Sequence, residues 1–119
     1  MDDEQLMHNF VVRTLKSRLS RDYKDIHDNT GGQTRELGGY YPDIIFGNHG
    51  LVLGAMEVET ESTLSPEKAA EWKALANSGN RLVLMIPKKA VKRVTDLLWD
   101  AGVADRVSIG TYDMVIQMP

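Results

Sequence analysis

The chain contains no cysteine. Disulfide scaffolds, thiolate zinc sites and cysteine nucleophiles are therefore excluded. No apolar run approaches the roughly 20 residues a helix needs to cross a bilayer. The opening, Met1-Asp2-Asp3-Glu4, lacks the basic region of a secretory signal. A cytoplasmic location is the expectation. Repeats, low-complexity tracts and linker-like stretches are also missing, so residues 1–119 read as one domain. Nor is there an excess of positive charge. Lys and Arg number 14 against 17 Asp and Glu, a net charge of −3, which argues against a sequence-blind nucleic-acid binder. A nucleic-acid enzyme stays open, because an acidic metal site offsets a local basic surface. The bases are indeed clustered: Arg13, Lys16, Arg18, Arg21 and Lys24 form one group, and Lys88, Lys89, Lys92 and Arg93 another. A hydrophobic content of 42% with 26% charged residues is that of a globular chain and excludes wholesale disorder.

What is present reads as alternating helices and strands. Leu6, Met7, Phe10, Val11, Leu15 and Leu19 recur at helical spacing and predict an amphipathic helix over 3–21, capped by Asp2 or Asp3. Tyr23 to His27 suits a short polar edge strand. Asp28-Asn29-Thr30-Gly31-Gly32 is a turn, and Gly38-Gly39 suggests a mobile connection. Pro42 to Phe46 and Leu51 to Glu59 form a hairpin around Gly47-Asn48-His49-Gly50. Ser65-Pro66-Glu67 starts a second helix that buries Ala69, Trp72, Leu75 and Ala76 and stops at Gly79. Arg81 to Ile86 is a continuous apolar strand covered on both faces. A third helix runs from Lys89 to Ala101, with Val91, Val94, Leu97 and Leu98 inward and Gly102 as its stop. Val107 to Thr111 is a last strand, and Met114 to Met118 a short further one. The fold class is α/β, in the order α-β-β-β-α-β-α-β. A right-handed crossover through the second helix gives a central mixed sheet with helices on both faces.

The chemistry concentrates in the hairpin. Asp43 opens one strand, and Glu57 and Glu59 close the next. Period-2 geometry puts Glu57 and Glu59 on one face, and a suitable register brings Asp43 beside them. Three carboxylates on an apolar sheet repel one another and are costly to desolvate. A hard divalent cation, Mg²⁺ or Mn²⁺, is the simplest remedy.

Tyr41-Pro42-Asp43 followed by Met56-Glu57-Val58-Glu59-Thr60, within this element order, resembles the PD-(D/E)XK nuclease superfamily over roughly Glu4 to Ile86. The resemblance implies a restriction-endonuclease-like fold and a Mg²⁺-dependent endonuclease that hydrolyses DNA phosphodiester bonds. It makes Asp43, Glu57 and the Val58 carbonyl metal ligands. Glu59 stands where the superfamily usually has lysine; it becomes a general base or a ligand to a second cation. In some members the lysine lies on the following helix, which here offers Lys68 or Lys73. Glu4 on the first helix is a further candidate. Arg13, Lys16, Lys24, Lys88 and Lys89 are the candidate DNA contacts, and a homodimer is implied, with Met114 to Met118 as a candidate interface strand. The alternatives are an inactive nuclease-like fold serving as a nucleic-acid-binding, structural or dimerisation module, and an unrelated α/β domain whose acids are incidental.

Plainer readings attach to several residues. Glu61 suits a solvated loop, His49 an exposed turn, and His8 the solvated face of its helix. His27 on the edge strand is a distant candidate base. The basic clusters also suit solvated helix faces. Trp72 and Trp99 both suit the core.

Overall fold

The structure, a computed structural model, describes residues 2–119. Helix α1 (Asp3–Leu19) begins at Asp2, whose carboxylate accepts the Gln5 N–H at 2.7 Å. That satisfies one of the unpaired N–H groups of the first turn. Its buried positions are Val11 and Val12, with Met7, Leu15 and Leu19 packed beside them. Leu6 and Phe10, expected inside, are 55% and 58% exposed. The inward stripe is thus turned toward Val12, and the residue one turn before it, His8, faces inward instead of into solvent.

The sheet has five strands in the order β1-β2-β3-β4-β5. β1 (Asp25–Asp28), β2 (Ile44–Asn48) and β3 (Leu51–Val58) are antiparallel neighbours; β4 (Arg81–Pro87) and β5 (Val107–Tyr112) add in parallel. β1 starts two residues later than expected, because Tyr23 lies before the strand and packs its ring at a tilt against Phe46, ring centroids 4.7 Å apart. The hairpin turn tightens to His49-Gly50, both at positive φ (54° and 76°), as a two-residue turn demands. A bulge at Phe46/Gly47 absorbs the register change. The Gly38-Gly39 connection is a second tight turn, closed by reciprocal Leu37 and Tyr40 main-chain bonds of 2.8 and 3.0 Å.

Helix α2 (Pro66–Ala76) starts as the sequence predicts: Ser65 Oγ accepts the Lys68 N–H at 3.0 Å and Pro66 takes the first turn. Helix α3 (Val91–Ala101) follows a single 3₁₀ turn, Lys88–Ala90, and ends at Gly102 with φ 77°. It buries Val94 and Leu98, but Val91 is exposed and Trp99 is 70% exposed, so neither is a core residue. Residues 113–119 form no strand; Met114 to Met118 is irregular and exposed.

Two apolar layers hold these parts. Ile44, Phe46, Met56 and Val58 pack against α1 on one face. Ala55, Leu82, Leu84 and Ile86 pack against Trp72, Leu75, Val94 and Leu98 of α2 and α3 on the other. Strand alternation assigns them: even positions of β2 and β3 look one way, odd positions the other. The result is an α/β fold with a five-stranded mixed sheet and, among the described residues, three α-helices. No helix there is long and apolar enough to cross a membrane.

Candidate functional site

The site lies at the end of the sheet where the parallel strands β3, β4 and β5 finish, β1 finishes and β2 begins. The last pair of the β2–β3 ladder is Ile44 with Met56. One step further, Asp43 stands opposite Glu57, on the face shared by Ala55. Glu59 continues that face past the strand end, and its N–H bonds to the Met85 carbonyl at 2.9 Å. The register condition on the three acids is therefore met. Glu57 and Glu59 are only 3% and 2% exposed.

Asp43 is held from several sides. Its Oδ2 accepts the Val58 N–H at 2.8 Å and pairs with His8 Nε2 at 3.1 Å. Its carbonyl accepts the Asn29 N–H, and the Asn29 amide donates to the Pro42 carbonyl at 2.7 Å. The hydrogen bond to Asp43 outweighs burial and raises the His8 pKa to about 9, so the ring is a cation at neutral pH.

Lys68, in the first turn of α2, reaches into the acids. Its Nζ lies 3.7 Å from Glu57 Oε2, 3.7 Å from Glu59 Oε1 and 2.9 Å from Glu71 Oε2. Burial pulls the ammonium down, but Glu57 and Glu59 more than compensate, and its pKa rises. Even with this counter-charge the acids resist ionisation. Burial, then the negative charge of Asp43, raises Glu57 well above the usual carboxyl range. Burial raises Glu59 to about 7, against the opposing pull of Lys68. Glu59 Oε2 is buried with no hydrogen-bond partner. Its main-chain carbonyl, by contrast, accepts the Tyr112 hydroxyl at 2.7 Å.

Helix α1 contributes through one i, i+4 stripe. Glu4 accepts from the Ser62 N–H and hydroxyl at 3.1 and 2.8 Å, His8 meets Asp43, Val12 is buried, and Lys16 pairs with Asp28. The stripe crosses the site end of the sheet from β3 to β1. Reading Leu6 and Phe10 as core hid it. The signal was there in the spacing Glu4-His8-Val12-Lys16.

Other expected residues fall variously. Lys73 is exposed in the last turn of α2 and, among the described residues, forms no ion pair; Lys68 takes the place considered for it. Arg13 and Lys16 line a cavity of about 380 Å³ with Asp28 and Thr30 at the site end. Lys88 and Lys89 follow β4 at the same end and line a cavity of about 580 Å³ with Glu4, Met7 and Tyr112. Lys89 also meets exposed Glu61 at 3.4 Å. Lys24 does not join them: its N–H bonds to Asn48 at the hairpin end. His27 and His49 are exposed, and His49 is at that far end too.

The donor set suits a hard cation, being carboxylate oxygen with one orphaned atom at Glu59. As they stand, Glu57 and Glu59 are drawn to Lys68, and Asp43 to His8 and the Val58 N–H, instead. Among the described residues no three of His, Asp and Glu already converge in a ligating group. No protein-family profile, no curated protein and no solved structure matches the chain.

Proposed function

We propose that this protein is a Mg²⁺- or Mn²⁺-dependent hydrolase of DNA phosphodiester bonds, with Asp43, Glu57 and Glu59 at its centre. One observation carries the reading: three carboxylates share one face and one end of the sheet, two of them buried, in a chain with no apolar reason to place them there. Asp43, Glu57 and the Val58 carbonyl would hold the cation, with Glu59 able to contribute. When bound, a divalent cation lowers the pKa of a water molecule and neutralises charge developing on phosphate.

The side chains divide the remaining work. The unpartnered Oε2 of Glu59 would be the atom to take a proton from water. Lys68, 3.7 Å from both Glu57 and Glu59, would take the part of the following-helix lysine that the resemblance implies. Its ammonium can accompany a phosphate oxygen or hold Glu59 in place. His8 and the Val58 N–H fix the Asp43 carboxylate. Arg13, Lys16, Lys88 and Lys89 flank the acids at that end and supply phosphate contacts, which would make binding fall with salt.

The test is cleavage of duplex, branched and single-stranded DNA with Mg²⁺ or Mn²⁺, wild type against Asp43→Ala. Divalent-dependent cutting that drops by at least about 100-fold in the variant supports the hydrolase. Cutting that survives the substitution points to another site or a contaminant. A second reading, an inactive nuclease-like module that binds nucleic acid or serves a structural role, draws on the internal neutralisation of the acids by Lys68. No cleavage together with no Mn²⁺ binding by calorimetry would favour it.

A further inference from the structure

A cavity of about 580 Å³ opens just beyond the last rung of the parallel ladder, where Pro87 of β4 pairs with Tyr112 of β5. Open α/β sheets bind their ligands in the crevice outside the carboxyl ends of such strands. Its volume falls within the ~300–1,000 Å³ of small-ligand sites. The first turns of α1 close it from the other side. Two bonds join it to the acids. The Tyr112 hydroxyl donates to the Glu59 carbonyl at 2.7 Å, and Glu4 accepts from Ser62 in the turn that follows Glu59.

The lining has two characters. Met7, Pro87, Met114 and Tyr112 supply apolar walls. Thioethers and a phenol ring suit a flat aromatic guest. Lys88 and Lys89, consecutive in the 3₁₀ turn after β4, are exposed cations on the same cavity. Lys88 forms no ion pair among the described residues, and Lys89 meets Glu61 in an exposed pair that costs little to open. The other acids of the lining are offset in place. Glu4 is engaged by Ser62, and Asp3 lies at the positive end of α1. That leaves Asp113 against Lys88, so the lysines can meet a phosphate.

We propose that this cavity takes one unpaired nucleotide of a DNA strand whose neighbouring phosphate lies at the acids. The base packs against Met7, Tyr112 and Met114, and the nucleotide's own phosphate meets Lys88 and Lys89. The inference rests on the hydrolase reading for the position of the neighbouring phosphate, and it narrows the substrate to single-stranded or frayed DNA. A base enters such a cavity only after leaving its stack. A single strand supplies that state readily, whereas a closed duplex must first unstack and unpair.

Fluorescence anisotropy in EDTA tests the cavity without cleavage. The probe is a labelled single strand of about 12 nucleotides. Wild type should bind it at least about tenfold more tightly than the same sequence in a blunt duplex. A strand of the same length made abasic should bind at least about fivefold more weakly than the intact one, the lower end of what one base stack contributes. Met114→Asp should weaken single-strand binding by a similar factor and keep its thermal midpoint, since Met114 is 51% exposed. Leu51→Asp, the same change on an exposed residue at the hairpin end, should leave binding unaltered. A wild type that binds no single strand overturns the proposal. So does a duplex or an abasic strand held as tightly as the intact single strand, or equal affinities of the two variants. The expected binding pattern without divalent-dependent cutting would keep the cavity and remove the hydrolase; cutting with no preference for unpaired strands would do the reverse.

Discussion

Two interiors lie side by side on the same face of the sheet, under the same helix. In one, Trp72 and Leu75 of α2 close over Ala55, Leu82 and Leu84. In the other, one turn earlier on α2, Lys68 closes over Glu57 and Glu59. The two are equally dry: Trp72 is 0% exposed, Glu57 3% and Glu59 2%. The first stabilises the fold by removing apolar surface from water. The second opposes it, since desolvation is the main cause of the raised pKa of both acids. Continuing β3 with apolar residues at 57 and 59 would have extended the core at no such cost. On the proposed function, the acids are where stability has been traded for chemistry.

A pair of substitutions separates the two interiors most widely. Trp72→Ala empties the apolar half and should cost about 3–5 kcal/mol in urea unfolding. Glu57→Gln should leave stability at pH 8 unchanged within about 1 kcal/mol or raise it, because burial already disfavours the charged form of Glu57 and Lys68 keeps Glu59 and Glu71 as partners. The same variant should lose the divalent-dependent cleavage. A Glu57→Gln variant as unstable as Trp72→Ala would make the acids structural and erase the distinction.

A pH titration sharpens it next. Glu59 rises from 4.5 to about 7 on folding, so between those values the folded chain binds more protons than the unfolded one. Its contribution is full below about 4.5 and is lost as pH climbs through about 7, at most about 3 kcal/mol in all. His8, raised from 6.5 to about 9, acts in the same direction over the next window: what it contributes is present below 6.5 and gone above about 9. Without divalent cations, the urea midpoint should fall steadily from pH 5 to pH 9. Mg²⁺, which binds ionised carboxylates, should lift the midpoint most at the alkaline end. A midpoint that rises with pH would mean that the acids are not desolvated as described.

The apolar half was the legible half. Ser65-Pro66, the Arg81–Ile86 run and Gly102 place α2, β4 and the end of α3 from local chemistry alone. The hairpin acids were legible too, because their alternation and the tight turn leave few registers. On the helices the differences arose where an apolar residue was assumed to point inward. Leu6, Phe10, Val91 and Trp99 satisfy helical spacing yet lie outside, since spacing fixes which residues share a face and tertiary packing fixes which face is covered. The error on α1 turned the helix and sent His8 to solvent. Choosing between Lys68 and Lys73 needed the direction of α2 relative to β3. Both lie on one helix, but Lys68 in the first turn sits over the carboxyl end of β3, whereas Lys73 in the last turn is exposed on the side away from the buried Leu75.

These two lysines supply the finest test of the contrast. Lys68→Met removes the charge that pulls the Glu57 and Glu59 pKa values down, so both should rise further. At pH 5, where Glu59 is largely protonated, the variant should lose little stability. At pH 8 it should lose more, about 1–3 kcal/mol, because Glu59 is then largely ionised and buried without its counter-charge. The loss should therefore grow with pH. Lys73→Met, one helical turn and a residue further on, makes no contact with the acids and should stay within about 0.5 kcal/mol of wild type at both values. Equal and pH-independent losses from the two substitutions would mean that Lys68 acts through helix propensity or packing, and that the acids are neutralised by something else.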